Sequence, residues 1–500
     1  MKKSTAAYWL LATGAFAVLG GASIWMGGLN QDEGWYLYAA NLVAEGKTPY
    51  RDFFYTQGPM LPIVYSAFSW IWKSWGLLGA RAFTLGIGAA GVLVAAALAR
   101  RLAPEARRGE AALATLVLLG ANLYHVYYLT IPKTYALASF FVIAGFLFMD
   151  LAQDAWNRVR GGFAFALVSG LSLAFASGTR ISLGAILCVV GLFLLVAAFR
   201  GRQRRVFAGF VAGGLAGLAI VYGPFLASSG AREGLLAAQA FHVARGGGQH
   251  DITWIVGSLS RLVRWYLPVF VVLGLFAVRH RASAASPAIM SRTLWMAFCS
   301  FLAVFLVQMY APFPYEDYQV PIMGLLAVFS VAAFLCVSGK PLPLLVLGMT
   351  FASSFGSPLL EKWAVNGQDR FWSIKKDKYE LAQLRDVARR IEEIDPGGKE
   401  IFTQDIYIAV ETGRKVPAGM EMGPYAVLSD DDYERLAREA RAPVAALSGY
   451  SFAVDMPSGR ERPIEKQMKC WEILKENYRL VESEAYFGQN STPLLILKRK

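Results

Sequence analysis

Charged residues and cysteines are scarce in this sequence. Only 17% of its 500 residues are Asp, Glu, Lys or Arg and 55% are hydrophobic, whereas an ordinary soluble domain carries about 25% charged residues. Such a composition excludes an intrinsically disordered or collagen-like chain. The four cysteines have no metal-type spacing, and three of them lie inside apolar runs, so their pattern implies neither a disulfide framework nor a zinc site.

Acidic residues are scarce above all in the first 360 residues. This part holds 12 Asp and Glu against 26 Lys and Arg, whereas residues 361–500 hold 24 and 23, so that formal charges of +14 and −1 give the net +13. The basic residues form short clusters between long apolar runs, a pattern typical of the positive-inside rule and not of a nucleic-acid surface. We therefore predict a transmembrane domain at 1–357, a water-soluble domain at 358–500, and no nucleic-acid partner.

Long apolar runs mark the membrane domain. A helix that crosses a bilayer needs about 20 mostly apolar residues, and eleven runs qualify: 8–28, 79–99, 110–129, 131–150, 161–178, 181–199, 206–226, 265–279, 293–311, 319–338 and 341–357. The first run is too long for a signal peptide and lacks an A-x-A cleavage site, which favours a membrane anchor. One set of loops is much richer in Lys and Arg than the other. This asymmetry predicts a cytoplasmic N-terminus, large external loops at 29–78 and 227–264, and an extracytoplasmic tail.

The tail has the mixed pattern of a small α/β domain. Residues 376–394 show helical apolar spacing, and Asp395-Pro396-Gly397-Gly398 is a helix stop. A short strand is predicted at 401–403, a helix at 464–477, and closing strands at 478–484 and 493–498. The predicted fold class is thus a polytopic α-helical membrane protein, with about eleven transmembrane helices and a small C-terminal α/β extracytoplasmic domain. We find no catalytic constellation in the tail.

A pair of acids directly follows the first span, in the stretch Asn30-Gln31-Asp32-Glu33. A carboxylate here can act as a general base on the outer face. However, Asn30 with Glu33 three residues on is also a capping box, and acids in a first turn suit the helix dipole. Neighbours on a helix point about 100° apart, so only one of the two acids faces a substrate, and we predict that Asp32 does.

Two amphipathic helices rich in Trp and Tyr are predicted in the same external loop, the second at 62–75. Helices of this kind lie in the membrane interface. An acid at that depth meets a substrate whose tail is in lipid and whose head is in water.

The chain also carries a recognisable order of motifs. These are Asp32-Glu33, Tyr36-x-x-Ala39, Gly46-x-x-Pro49-Tyr50-x-Asp52-Phe53, Gly58-Pro59 and, at the start of span two, Arg81. This order resembles the GT-C superfamily of polytopic glycosyltransferases, in the branch of the protein O-mannosyltransferases and the lipid A aminoarabinose transferase. The resemblance is strong over residues 1–200 and mostly topological over 200–357. The tail has no motif that we can assign, and it lacks the Trp-Trp-Asp sequon motif of an oligosaccharyltransferase.

Two further stretches are similar to the family. Phe-Ala-Ser-Gly-Thr-Arg at 175–180 is similar to its span that ends in a basic residue, and Tyr315 to Pro321 is similar to the tyrosine-rich outer end of a late span. The resemblance implies a GT-C fold and a sugar donor linked to polyprenyl phosphate. It also implies that an acid of the first external loop is the catalytic base, and the matching position is Asp32, with Glu33 beside it.

Sugar transfer from a phosphate carrier also needs cations that stabilise the leaving phosphate. The candidates are Arg51, Lys133, Arg180, Arg245, Arg261 and Arg264. Lys133 and Arg180 lie at the outer ends of apolar hairpins, where a charge costs about 2.5–3.5 kcal/mol and usually has a use; the alternative is snorkelling to the interface. Arg245 precedes three glycines, in a loop that either closes over the donor or is simply flexible. We predict phosphate binding by Lys133, Arg180, Arg245 and Arg51.

Other residues of the external side are candidates for positioning the acceptor. They are Tyr36, Asp52, Tyr315, Glu316, Asp317 and Tyr318, and the alternative for the last four is an interfacial aromatic belt. His242, His250 and Asp251 are weak candidates for a divalent-metal site, because imidazole and carboxylate are common ligands but their spacing is not that of a metal motif. No cofactor follows with certainty from the sequence, and a divalent metal ion stays an open alternative.

Together these features predict an inverting membrane glycosyltransferase with Asp32 as general base. It would move a sugar from a polyprenyl-phosphate donor to a hydroxyl of a lipid, glycan or protein acceptor, on the outer face of a bacterial inner membrane. One alternative is a transporter or flippase of lipid-linked sugars. That function requires acids at the membrane midplane, whereas the acids here cluster at the outer rim. A second alternative is a sensor whose tail binds a ligand.

Overall fold

The computed structural model describes residues 3–159, 161–244, 252–282, 290–311, 314–338, 342, 348–350, 378–425, 430–448, 472–489 and 492–500. Within these ranges the membrane part forms fifteen α-helices: α1 (Lys3–Met26), α2 (Gln31–Ala44), α3 (Met60–Ser66), α4 (Trp70–Leu102), α5 (Arg108–Gly120), α6 (Leu123–Thr130), α7 (Thr134–Val159), α8 (Phe163–Thr179), α9 (Gly184–Phe199), α10 (Arg204–Ala227), α11 (Ser229–Ala244), α12 (Ile252–Trp265), α13 (Leu267–Ala282), α14 (Arg292–Met309) and α15 (Val320–Val337).

The helices confirm the polytopic architecture. Seven of them are long and apolar enough to cross a membrane, namely α1, α4, α7, α9, α10, α14 and α15, the last extended by the 3-10 turn Glu316–Gln319. Two bent pairs, α5 with α6 and α12 with α13, and the shorter α8 add three further apolar units. These ten units coincide with the first ten predicted runs. The eleventh, at 341–357, lies almost entirely outside the described residues.

Two of the predicted spans are parts of bent helix pairs. α5 and α6 meet at 71°, and α12 and α13 meet at 85°. Asn122 starts α6, because its side-chain oxygen accepts a hydrogen bond from the His125 N–H at 3.0 Å. The Asn122 amide also donates to the Trp265 carbonyl at 2.9 Å, so one polar side chain joins both bends. Pro268 follows the second bend and has no N–H to continue α12.

The interfacial helix predicted at 62–75 is not continuous. α3 ends at Ser66, and α4 begins at Trp70 and kinks at Gly76, whose φ of 61° and ψ of −154° suit glycine. The helical turn after the kink is capped from the tail, since the Glu411 carboxylate accepts a hydrogen bond from the Leu77 N–H at 2.7 Å. A Cβ at position 76 would collide with that carboxylate.

The described part of the tail contains helices and an antiparallel sheet. Helices α16 (Glu380–Ile394), α17 (Ile406–Thr412) and α18 (Asp430–Glu439) accompany a sheet of order β1-β3-β2, made of β1 (Val444–Ser448), β2 (Tyr478–Phe487) and β3 (Thr492–Arg499). The helix stop after Ile394 and both closing strands are confirmed. The strand predicted at 401–403 is instead a single bridge between Phe402 and Ala445, and of the helix predicted at 464–477 only 472–477 is described, as helical.

The tail packs on the segment between α1 and α4 that carries the acid pair. Buried side chains of α2 and α4 form one apolar core with those of α16, α17 and the sheet. Gly34 allows this approach, because a Cβ there would collide with the backbone of Tyr407. The Tyr38 hydroxyl accepts a hydrogen bond from the Val416 N–H at 3.0 Å. The loop that carries the acid pair is therefore held between the membrane helices and the tail.

Candidate active site

The acid pair opens α2 through a complete capping box. The Asn30 side-chain oxygen accepts from the Asp32 N–H at 3.0 Å, and a Glu33 carboxylate oxygen accepts from the Asn30 N–H at 3.0 Å. Such a cap is worth about 1 kcal/mol. The capping alternative read from the sequence is thus confirmed, and it involves only the backbone of Asp32, whose carboxylate remains available for other contacts.

Glu33 is committed to a buried ion pair. Its carboxylate oxygens lie 2.8 Å from Arg81 Nε and 2.7 Å from Arg81 Nη2, and both side chains are 0% exposed. Arg81 also donates to the carbonyls of Ile24, Gly27 and Gly28, at 3.1, 2.9 and 2.9 Å. The guanidinium therefore joins the end of α1 and the start of α2 to α4.

Asp32 faces a different cation. Its Oδ2 lies 2.8 Å from Lys133 Nζ, and its side chain is 19% exposed. The same ammonium lies 3.3 Å from Asp317 Oδ2, which also accepts from the Tyr135 hydroxyl at 2.8 Å. Trp35 Nε1 donates to Asp32 Oδ1 at 3.1 Å. Residues from α2, from the turn before α7 and from the turn before α15 thus meet at one point.

Two carboxylates hold Lys133 in its charged form. Burial by itself disfavours the ammonium, but the charges of Asp32 and Asp317 outweigh it, so the pKa of Lys133 is raised well above its ordinary value. The ring of Tyr135 adds a cation–π contact, with Nζ 4.9 Å from the ring centre. The lysine is therefore a fixed positive charge at neutral pH.

Arg180 completes the cluster. Its guanidinium lies over the rings of Tyr135 and Tyr318, 5.1 and 4.8 Å from their centres, and donates to Thr134 Oγ1 at 3.3 Å. Among the described residues no carboxylate lies within ion-pair distance of Arg180. This arginine is consequently oriented by aromatic rings and left without an acidic counterion by the part of the chain that the structure describes.

Tyr36 belongs to the same cluster and is buried at its side. Its ring stacks on Trp35 at 3.7 Å, and its hydroxyl is hydrogen-bonded to Thr134. Burial, with the nearby charge of Asp32, raises the pKa of the Tyr36 hydroxyl above its ordinary value. The phenol therefore stays protonated and can act only as a hydrogen-bonding group.

The remaining acceptor candidates fall in two places. Glu316 is buried and lies 3.0 Å from Arg261 Nε, and the ring of Tyr315 packs against Trp254 at 5.4 Å and Tyr318 at 5.6 Å. These contacts join α12 to the turn that carries Asp317. Glu316 and Tyr315 therefore border the cluster and contact α12.

Arg51 and Asp52 lie apart from the cluster. They form a neighbouring ion pair at 2.9 Å, with 52% and 25% of their side chains exposed. The hydrogen bonds from Arg51 and from the Thr48 N–H lower the pKa of Asp52 to about 2. The structure brings neither residue to Lys133 or Arg180.

The Gly-rich loop predictions lie outside the described residues. This holds for Arg245, His250 and Asp251, and for the side chain of His242 in the last turn of α11. In the described ranges there is no group of three or more His, Cys, Asp or Glu side chains that could hold a metal ion.

Several residues of the site escaped prediction. Arg81 was noted as a motif residue but not as the partner of Glu33, and Tyr135 was not singled out. From the tail, a carboxylate oxygen of Glu380 accepts from the Leu29 N–H at 2.6 Å, and Asp405 Oδ1 accepts from Gln31 Nε2 at 2.8 Å. Arg81 and Tyr135 had a usable signal, since each is a polar residue at the end of an apolar run. Glu380 and Asp405 had none.

The chain was compared with families, curated proteins and solved structures. No family model and no curated protein matches its sequence. Its fold, however, is similar to that of ArnT from Cupriavidus metallidurans. The structure of ArnT bound to undecaprenyl phosphate is matched with a TM-score of 0.61 and 14% identity over 98% of each chain. The apo structure is matched with 0.59 and 13% identity, over 99% of this chain and 98% of that one.

A second similarity is more remote. The Archaeoglobus fulgidus oligosaccharyltransferase tethered to an acceptor peptide is matched over 97% of this chain and 74% of its own, with a TM-score of 0.46 and 12% identity. A TM-score below 0.5 does not establish a shared fold. The similarity to ArnT over nearly the whole of both chains confirms the predicted GT-C fold with its small C-terminal domain.

Proposed function

We propose that the protein is a membrane glycosyltransferase that uses a sugar linked to polyprenyl phosphate. The observation that supports this most is the position of Asp32. Its carboxylate is partly exposed and lies beside two fixed cations, Lys133 and Arg180, at one end of an apolar helix bundle. A base next to phosphate-binding cations is the set of groups that this transfer requires. The fold shared with ArnT, crystallised with undecaprenyl phosphate, agrees with this carrier class.

The reaction follows from the arrangement. The acceptor hydroxyl gives its proton to Asp32, and its oxygen attacks the anomeric carbon from the face opposite the phosphate. The bond between that carbon and the phosphate oxygen breaks, and the electron pair leaves with the phosphate. Lys133 and Arg180 stabilise the developing charge, as positioned cations do best in a site shielded from water. A single displacement of this kind inverts the anomeric centre.

The donor phosphate would change the contacts of Lys133. Before it binds, the ammonium lies between Asp32 and Asp317. A phosphate that binds Arg180, whose side chain has no carboxylate partner in the described ranges, would draw the ammonium toward itself. Asp32 would then be released to accept a proton, while Asp317 and Tyr135 keep Lys133 in place.

Glu33 has a structural role in this proposal. It is fully buried and makes two hydrogen bonds to Arg81, so an acceptor hydroxyl does not reach it. Tyr36, Tyr318 and Asp317 line the site and orient the acceptor or the two cations. Asp52 and Arg51, on the exposed loop, have at most an indirect part.

The proposal includes the topology and the division of the chain. Residues 1–357 would form the transmembrane domain and 358–500 an extracytoplasmic domain of a bacterial inner membrane. The N-terminus would be cytoplasmic, because the loops at the end of the bundle away from Asp32 carry most of the Lys and Arg. A divalent metal, if one is needed, would be sought at His242, His250 and Asp251, and a chelator tests that need.

The experiment is release of polyprenyl phosphate from a labelled polyprenyl-phosphate sugar by the purified protein in detergent, with bacterial membrane extract as acceptor. We expect release by the wild type and a loss of about 10²–10⁴-fold in Asp32→Asn, the range typical of a general base. Glu45→Gln is the matched control, since Glu45 lies in the same loop and its carboxylate pairs with Lys415 at the surface. A flippase or sensor would release none, and equal release by Asp32→Asn and wild type would refute the assignment of the base.

A further inference from the structure

A cavity of about 630 Å³ opens at the other end of the bundle from Asp32. One wall is apolar, and the other side carries basic residues. The lining consists of Leu192, Phe193, Val196, Ala197, Met290 and Trp295, together with Arg200, Arg202 and Arg292. The cavity is thus formed where α9 ends and α14 begins.

The course of two helices shows its distance from the active site. Helix α9 begins at Gly184, just after Arg180, and its 16 residues end at Phe199 beside the cavity, a rise of about 24 Å at 1.5 Å per residue. Helix α14 runs the opposite way. Its first residue, Arg292, lines the cavity, and at its far end Gln308 donates to Ser182 at 3.2 Å. The cavity therefore lies at the opposite membrane face from the proposed sugar-transfer site.

The loop that carries the arginines is held in a defined shape. Helix α9 ends in a Schellman motif, in which Gly201 has a φ of 72°, its N–H donates to Ala198 at 3.0 Å, and the Arg202 N–H donates to Ala197 at 2.9 Å. The next residue, Gln203, is buried and has a φ of 56°, which is rare for a residue other than glycine. Its side-chain oxygen accepts from Arg292 Nη1 at 2.7 Å. The strained turn thereby fixes a guanidinium at the rim of the cavity.

The three guanidinium groups are uncompensated. Across the described ranges, no carboxylate lies within 4.0 Å of Arg200, Arg202 or Arg292. Other arginines at the same end of the bundle are paired. Arg101, for example, lies 2.7 Å from Asp150, and Asp150 in turn neighbours Thr293 at 3.5 Å. Acidic partners are therefore available in this region, but the described residues provide none at the rim of the cavity.

We infer that this cavity binds an anionic phospholipid of the leaflet opposite the proposed sugar-transfer site. Guanidinium groups match phosphate oxygens in geometry and charge, and basic residues at a membrane surface attract anionic lipids. The apolar wall, which includes Trp295, provides the surface on which an acyl chain packs. This site is independent of the proposed function, because the length of α9, about 24 Å, separates it from the end of the bundle that carries Arg180.

The test uses native mass spectrometry of the full-length protein in detergent doped with equal amounts of phosphatidylglycerol and phosphatidylcholine. Each arginine near a lipid surface is worth about fivefold in anionic-lipid affinity. We therefore expect Arg200→Gln/Arg202→Gln/Arg292→Gln to lose on the order of 100-fold in affinity for one bound phosphatidylglycerol. The matched control is Arg100→Gln/Arg279→Gln/Arg281→Gln, which removes three exposed arginines outside the cavity. Equal losses in both variants would show a general surface effect and overturn the proposal.

A second measurement locates the lipid and checks folding. Brominated phosphatidylglycerol should quench the fluorescence of Trp295, seen as the difference between wild type and Trp295→Phe, more than brominated phosphatidylcholine does. Soluble glycerol phosphate should not displace the lipid, because it lacks the acyl chain. Displacement by glycerol phosphate would show a site for the phosphate group alone, and equal quenching by both lipids would show no preference for an anionic headgroup; either result would overturn the proposal. An unfolding midpoint equal to that of the wild type would show that the triple variant folds.

Discussion

The buried pair of Glu33 and Arg81 allows stability and catalysis to be separated by mutation. Glu33→Gln keeps the shape of the side chain and an oxygen for the Asn30 N–H, but it removes the ion-pair partner of the buried Arg81 guanidinium. Breaking a buried ion pair in this way costs about 3–5 kcal/mol. Asp32→Asn should cost far less, because Lys133 retains Asp317 as a counterion and the Asp32 side chain is 19% exposed.

Thermal unfolding and turnover of the same preparations measure the two effects. We expect Glu33→Gln to lower the unfolding midpoint by about 5–10 °C, given a few degrees per kcal/mol for proteins of moderate size. Below that midpoint its release of polyprenyl phosphate per folded molecule should stay within about threefold of wild type, a difference under 1 kcal/mol. Asp32→Asn should show the opposite result, a nearly unchanged midpoint and little release.

Two control variants accompany the comparison of Glu33→Gln with Asp32→Asn. Arg81→Met removes the other partner of the pair and should destabilise the protein about as much as Glu33→Gln, with a double variant that is less than additive. Glu45→Gln should behave as wild type in both assays. If Glu33→Gln were stable and inactive while Asp32→Asn still released the carrier, Glu33 would be the base and the reasoning from burial would be wrong.

Three further predictions concern other contacts. Arg180→Lys should raise the KM for the donor by about 10–100-fold, since lysine cannot stack on Tyr135 and bind phosphate with two N–H groups. A steady-state titration of the donor measures this KM, and an unchanged value would exclude a contact between Arg180 and the phosphate. Glu411→Gln should weaken the cap on Leu77 and lower the free energy of unfolding by about 1 kcal/mol, which is measured as a lower unfolding midpoint. The control Arg435→Gln, which breaks an exposed ion pair, should leave the midpoint unchanged. Burial raises the pKa of Asp405 in the folded protein, so the folded protein binds this proton more tightly than the unfolded chain does. The free energy of unfolding should therefore fall as the pH rises above about 4. Asp405→Asn should reduce this dependence on pH, measured by thermal unfolding between pH 4 and 8.

Local sequence patterns predicted most of the helices and strands and the position of the acid pair at the start of a helix. Long apolar runs predicted ten helical units at their correct places, because the cost of burying polar groups in lipid acts on every residue of a span. Asn30 and Glu33 predicted a capping box, because a cap depends on residues three apart. The resemblance in motif order likewise predicted the fold that the comparison with ArnT confirms.

Packing between distant segments decided what each side chain does. Lys133 and Asp317 are 184 residues apart and Glu380 and Leu29 are 351 apart, and no periodicity relates such positions. The same holds for the two bends joined by Asn122. Neighbouring acids in the sequence, Asp32 and Glu33, look equivalent until the helices assemble. Then one carboxylate is enclosed with Arg81 and the other meets Lys133 at a partly exposed point, because the helical step of about 100° turns them toward different neighbours.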